Sequence, residues 1–249
     1  MRCISMVFLL MLMSSIACGT EQRDKQNVIN IKVVTEDTFP LQYLENGKIT
    51  GPATKLVEQV LLAAGVTYNI EVLPWARAYQ LALTEPNILI YSLAKTTARL
   101  NAFKWVGRIT ALDYYLYGAI DSEINLQTSL ENLKQYEIGT VRDSAVYQYL
   151  QVNGFNKLTT VVHGRQNFLL FEQNRIDLFP ANKLSFQAIC MQDAFNCHNL
   201  KPLYKLDISS VELYIAFSQL TDDVLVEKIR AGYKKVMKKR NNSHDLGIN

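Results

Sequence analysis

One order of elements occurs twice in this sequence, and that repetition constrains the fold more than any other feature. Residues 30–37 form a run rich in β-branched side chains and read as a strand. "GPATKLVEQVLLAAG" (51–65) follows as a helix, with Leu56, Val57, Val60, Leu61 and Ala64 on one face and Gly65 as its stop. "TYNIEVL" (67–73) reads as a strand, "WARAYQLAL" (75–83) as a helix and "NILIYS" (87–92) as a strand. The same β-α-β-α-β order returns in "YEIGTV" (136–141), "SAVYQYLQVNG" (144–154), "LTTVV" (158–162), "RQNFLLFEQN" (165–174) and "RIDLF" (175–179). Alternation of this kind predicts an α/β fold in which each unit is a mostly parallel sheet flanked by helices.

The units are joined by "ITALDYYLYGAI" (109–120), extended and aromatic, with no Gly/Ser linker. A second extended run, "SVELYIAF" (210–217), precedes a last helix at about 222–239. Two units with two crossing segments predict two hinged lobes. Lobe one would span 28–113, lobe two 114–215, and 216–249 would return to lobe one as a C-terminal helix. The hinge is expected where the chain crosses, near 111–118 and 208–217.

In open α/β sheets, ligands bind beyond the carboxyl ends of strands, where helix N-termini also point. In "IYSLAKTTAR" (90–99) an apolar strand gives way to Ser92, Ala94 and Thr96 and then to Arg99. Arg142 and Ser144 follow the first strand of the second unit in the same way. Both polar mouths are expected to face one cleft. Ser144 also reads as a helix N-cap, and Thr96 as a cap for a short helix after it.

Taken in order, the segments resemble the bacterial extracellular solute-binding proteins of family 3, the polar amino-acid type. The likeness runs over about residues 28–240. "FPLQYLENGKITG" (39–51), which holds Tyr43, is similar to the family's proline-aromatic segment. "LPWARAYQLAL" is similar to its tryptophan-bearing helix, "SLAKTTARLNAFKWVG" to its threonine-arginine motif, and "RIDLFPAN" to its second-lobe strand. The resemblance implies a periplasmic-binding-protein-like fold (type II) and a small-molecule solute, amino-acid-like or anionic, held between the lobes. Arg99 would clamp a carboxylate, which suits a planar fork of donors that keeps its charge. Thr96 would add a donor, Ser92 and Ala94 would offer backbone groups, Trp75 would wall the pocket, and Ser144 would sit at a helix N-terminus. The sequence departs from the family at Pro52, Ala53, Asp143 and Ala145. Asn182 stands where amino-acid binders carry the aspartate that pairs with an α-amino group. Glu36 or Asp37 would then supply the missing acid.

The resemblance also implies a partner, either an ABC-type permease or a membrane sensor, and a monomer acting without cofactor or metal. It makes the chain a binding protein, not an enzyme. The enzyme alternative is a cyclohexadienyl-dehydratase-like activity on the same fold, for which Glu36, Asp37 or Glu172 would supply the acid. "SLAK" matches Ser-x-x-Lys formally, but it lies at a strand end and lacks the partner motifs of penicillin-recognising enzymes. Three histidines and no G-x-S-x-G leave a serine triad without support. A formal charge of +3 gives no argument for nucleic acid.

"MRCISMVFLLMLMSSIACGT" has one positive residue and an apolar core from Ile4 to Met13, shorter than the about 20 residues of a spanning helix. It reads as a signal peptide over 1–19, so the protein is expected in the periplasm. Two forms of cleavage stay open. Cys18 in "SIAC" is either the acceptor of a lipid anchor, the one membrane contact expected, or part of an ordinary cleavage site. In an oxidising compartment Cys190 and Cys197 are expected to form a disulfide. A zinc site with His198 is the alternative, one ligand short of the usual four.

Overall fold

A computed structural model describes residues 30–125, 128–192, 195–208 and 211–245. The proposed signal segment and Cys18 lie outside them. β1 (Asn30–Thr35) leads to a hairpin, β2 (Tyr43–Glu45) and β3 (Lys48–Thr50), and then to α1 (Pro52–Ala64), β4 (Thr67–Val72), α2 (Trp75–Thr84) and β5 (Ile88–Ala94). A 3-10 turn at Thr97–Arg99 precedes β6 (Phe103–Leu112) and β7 (Tyr114–Ala119). The order continues with β8 (Ile138–Val141), α3 (Ala145–Val152), β9 (Leu158–Val161), α4 (Gln166–Glu172) and β10 (Phe179–Asn182). It ends with α5 (Lys183–Gln192), β11 (Leu200–Lys205), β12 (Val211–Ser218) and α6 (Asp223–Asp245).

The first sheet has the order β4-β1-β5-β12-β6, with β1 parallel to β4 and β5 and with β12 antiparallel to its two neighbours. In the second half only part of the expected parallel sheet forms. β8 pairs parallel with β9, whereas β10, β7 and β11 make an antiparallel sheet. The Gly139 N–H donates to Leu178 O at 2.9 Å and links the two pieces. The strand read at 175–179 is shifted to Phe179–Asn182. As an edge strand, β10 tolerates Pro180, which has no N–H to give a ladder. β12 lies inside the first sheet, so its residues pair with the first half from Val211 onward. The outward crossing is at Asp113, between β6 and β7.

The first sheet is covered on both faces. The apolar stripe of α1 (Leu56, Val57, Val60, Leu61) packs with Leu225, Val226 and Ile229 of α6 on one face. Ala78, Leu81 and Ala82 of α2 cover the other. Gly232 allows α6 to lie close on α1, since a Cβ there would sit 2.7 Å from Val60 O.

Along β5 the side chains alternate, Leu89 and Tyr91 joining the α1 side and Ile88 and Ile90 the α2 side. After Ser92 the phase is reversed: Leu93 joins the α2 side and Ala94 the α1 side. Ser92 is the extra residue of a bulge, unpaired on β12 and held at φ 58°. The strand end is thereby re-aimed at the place where the polar mouth begins.

The Cys190–Cys197 disulfide is formed and ties α5 to the following 3-10 turn. Its sulfurs are therefore not available as zinc ligands, and among the described residues no cluster suited to a metal occurs. Closing so short a loop stabilises by about 2–3 kcal/mol on the chain-entropy account. Replacing both cysteines with serine is expected to lower the melting temperature by about 4–12 °C. An unchanged melt in the double variant would show that the bridge adds nothing beyond local packing.

Candidate functional site

A cavity of about 750 Å³ opens between the halves, lined from both. The first half contributes Glu36, Asp37, Phe39, Tyr43 and Glu45, then Trp75, Ser92, Ala94 and Arg99. The second contributes Tyr114, Thr140, Ser144, the loop His163–Gln166, Asn167, Phe168, Asn182 and Ser185. These groups sit at strand ends and helix starts for local reasons. Ser144 Oγ accepts from the Tyr147 N–H at 3.1 Å and caps α3, as its sequence position predicts. Asn182 does the same for α5: its Oδ1 accepts from Ser185 N–H at 2.9 Å, and its Nδ2 donates to Ser185 Oγ at 3.0 Å. The segment carrying Phe39 and Tyr43 is pinned because Gly51, at φ 106°, runs against the Leu41 carbonyl too closely for a side chain. Ser92 Oγ donates to Gln42 Oε1 at 2.8 Å and ties that segment to the bulge.

Arg99 is at the cavity wall but is only 1 % exposed. Its guanidinium reaches across to the second half. Nη2 donates to Asp143 O at 3.0 Å, Nε to Gln148 Oε1 at 3.1 Å, and Nη1 to its own half at Ala94 O at 3.4 Å. The rings of Tyr79 and Trp75 lie 4.6 and 5.7 Å from its central carbon. The Trp75 indole N–H donates to the same Asp143 O at 3.0 Å. Asp143 presents that carbonyl from a left-handed backbone, φ 58°, a conformation aspartate tolerates better than most residues. Burial lowers the Arg99 pKa, and the neighbouring Tyr79 and Asp143 oppose the shift.

Glu36 is half-buried in the cavity wall. Burial pushes its carboxyl up to about 7; a hydrogen bond with Thr38 lowers it and the charge of Asp37 adds to the rise. Burial likewise pushes the Tyr114 phenol up to about 12, against a hydrogen bond from Asn182 and with help from the Glu36 charge.

The structure therefore brings Arg99, Ala94, Ser92, Trp75, Glu36, Tyr43, Ser144 and Asn182 to one cavity and leaves Thr96 and Arg142 outside its lining. Thr96 Oγ1 is buried without a partner and makes no capping bond. Arg142 is exposed, 3.5 Å from Thr160 Oγ1. Phe39, Tyr114, Asn167 and the loop His163–Gln166 were not singled out in the sequence. The loop follows β9, so the strand-end rule that pointed to Ser144 points to it as well.

No family model matches the chain, and no curated protein matches it in sequence. Solved structures do match. A histidine kinase sensor domain described as similar to periplasmic binding proteins aligns with a TM-score of 0.75 at 18% identity, covering 88% of this chain and 94% of that one. Holo ArgBP from T. maritima aligns with a TM-score of 0.69 at 17% identity, covering 84% and 90%. An amino acid ABC transporter substrate-binding protein from Streptococcus pneumoniae, bound to L-arginine, aligns with 0.69 at 14%, covering 84% and 90%. The chain has the periplasmic-binding-protein-like fold.

Proposed function

We propose that this chain is an exported solute-binding protein that captures a small polar solute between two lobes and presents it to a membrane partner. The cavity carries the proposal: its two walls come from different sheets, so a ligand bridging them would bias the lobes towards closure. The hinge would lie at Asp113 and between Lys205 and Val211, with α6 returning to lobe one. Arg99, Ala94, Ser92, Trp75, Glu36, Tyr43, Ser144 and Asn182 would form or brace the ligand site, and binding rather than turnover would be the outcome. An ABC-type permease would serve as partner, in line with the S. pneumoniae neighbour. The likeness to a histidine kinase sensor domain favours, as a second reading, a sensory partner for the same lobes. The disulfide suits an oxidising compartment such as the periplasm. Among the described residues, no helix is long and apolar enough to cross a membrane.

The test is thermal shift of the purified protein across amino acids, amines, small carboxylates and oligopeptides. A ligand at 100 times its Kd stabilises by about 2.7 kcal/mol, and one chemical class is expected to do so. A panel with no stabilising member would count against solute capture.

A further inference from the structure

The polar groups of the cavity do not match an α-amino acid. Such a ligand needs clustered donors for its carboxylate and an acceptor for its ammonium. Arg99, the residue expected to supply the donors, is engaged by Asp143 O, Gln148 Oε1 and Ala94 O, and its rings and burial leave almost none of it open. Asn182, the residue standing in for the ammonium partner, has both side-chain ends engaged by Ser185 at the start of α5. What remains open in the lining is rich in acceptors and rings. Its three carboxylates, Glu36, Asp37 and Glu45, come from one ten-residue segment of the first half. Asn167 lines the opposite wall but is 1 % exposed, and its unpartnered Oδ1 is buried against Gly139 of β8, so it adds no open acceptor. The other lining cation, Arg165, lies over the Phe195 ring. Phe39, Tyr43 and Tyr114 supply aromatic faces, which attract cations.

We propose that the cleft takes an organic cation without a carboxylate, a primary amine or guanidinium compound whose charge is met by Glu36 and whose stem lies on Phe39, Tyr43 and Tyr114, while Arg99 latches the lobes. The inference rests on the solute-binding reading and names the class of ligand within it. A carboxylate held in a partly desolvated site is costly alone and favourable when paired with a cation. The charged and titratable groups around Glu36 are Asp37 beside it, Tyr114, on which its charge acts, and Tyr43, Glu45, Arg99, His163 and Arg165 elsewhere in the lining. Burial favours its protonated form until a cation arrives, so capture expels a proton and affinity rises with pH through neutrality.

Calorimetric titration tests this with four probes: agmatine, arginine, glutamine and glutamate. Agmatine differs from arginine by the missing carboxylate. It is expected to bind at least as tightly as arginine, and about tenfold more tightly at pH 8 than at pH 6. Glu36→Gln is expected to weaken it at least tenfold and to remove the pH dependence. His163→Gln, which removes the cavity's imidazole, is expected to keep the pH dependence. Arginine binding more than tenfold tighter than agmatine, or unchanged affinity in Glu36→Gln, would overturn the inference. If glutamine or glutamate binds and neither cation does, solute capture stands and the cation site falls. If none of the four binds, both readings fall together.

Discussion

Replacing Arg99 with alanine is expected to let the two lobes open, visible in solution scattering as a radius of gyration above the about 18 Å of a compact chain of this size. The side chain reaches from the 3-10 turn of one half to the Asp143 carbonyl and the Gln148 amide of the other. Hydrogen bonds from a charged donor stabilise by about 1.5–3 kcal/mol each where water does not replace them. Opening re-wets Asp143 and Gln148, so the loss is smaller than the sum, about 2–4 kcal/mol between closed and open forms. That moves the equilibrium by about 30- to 1,000-fold. Unfolding stability should change less, because the apolar clusters under each sheet stay covered. Arg99→Lys keeps the charge but loses the planar fork, and should rescue closure only in part. Trp75→Phe keeps an aromatic face for Arg99 and removes one donor to Asp143 O, so a smaller opening is expected. A radius of gyration equal to the wild type's in Arg99→Ala would rule out the latch.

How much of this was legible beforehand follows from where each signal sits. The first unit could be read because its strands are buried runs and its helices carry complete apolar stripes. Pro52 opens α1 and Gly65, in the left-handed conformation, closes it, so local chemistry and tertiary packing agree there. α5 and β11 were not read. α5 has Ser185 as its one buried residue; Phe186, Ile189 and Cys190 pack half-buried on the second-half cluster, a three-residue stripe too short to mark a helix, and the Asn182 cap and the disulfide complete the hold. The run holding β12 was read as extended, but its place between β5 and β6 was not, because that depends on pairing partners about 100 or more residues away. At the site, Ser144 was legible as a cap because its partner lies three residues on. The engagement of Arg99 was not: Asp143 and Gln148 are 44 and 49 residues distant, and the carbonyl depends on a positive φ that the sequence only permits. Glu36 and Asp37 were legible only as two candidate acids at the end of the first strand. Burial separates the two, since Asp37 is exposed and Glu36 is half-buried.

That burial gives the second large effect, a stability difference between wild type and Glu36→Gln that depends on pH. In the folded chain the carboxyl titrates at about 7, against 4.5 for an unperturbed one. Between those values the folded state holds a proton that the unfolded state has released. Stability from this group is therefore fully present below about pH 4.5 and falls as pH rises to about 7. The loss is at most about 3 kcal/mol, and contact with cavity water reduces it. Gln has the same shape and no charge, so the variant should match wild type near pH 4.5 and exceed it at pH 8. At 2–4 °C per kcal/mol for a chain of this length, the gap in melting temperature at pH 8 reaches about 6–12 °C. Other titrating groups are common to both proteins and cancel in the difference, which makes the comparison specific to one carboxyl. A cationic ligand should reverse the order at pH 8: it stabilises the wild type by pairing with the ionised Glu36 and leaves the variant nearly unmoved. Parallel curves for the two proteins from pH 4.5 to 8 would mean that Glu36 is well solvated. The ligand's charge would then have to be met by another group in the cleft.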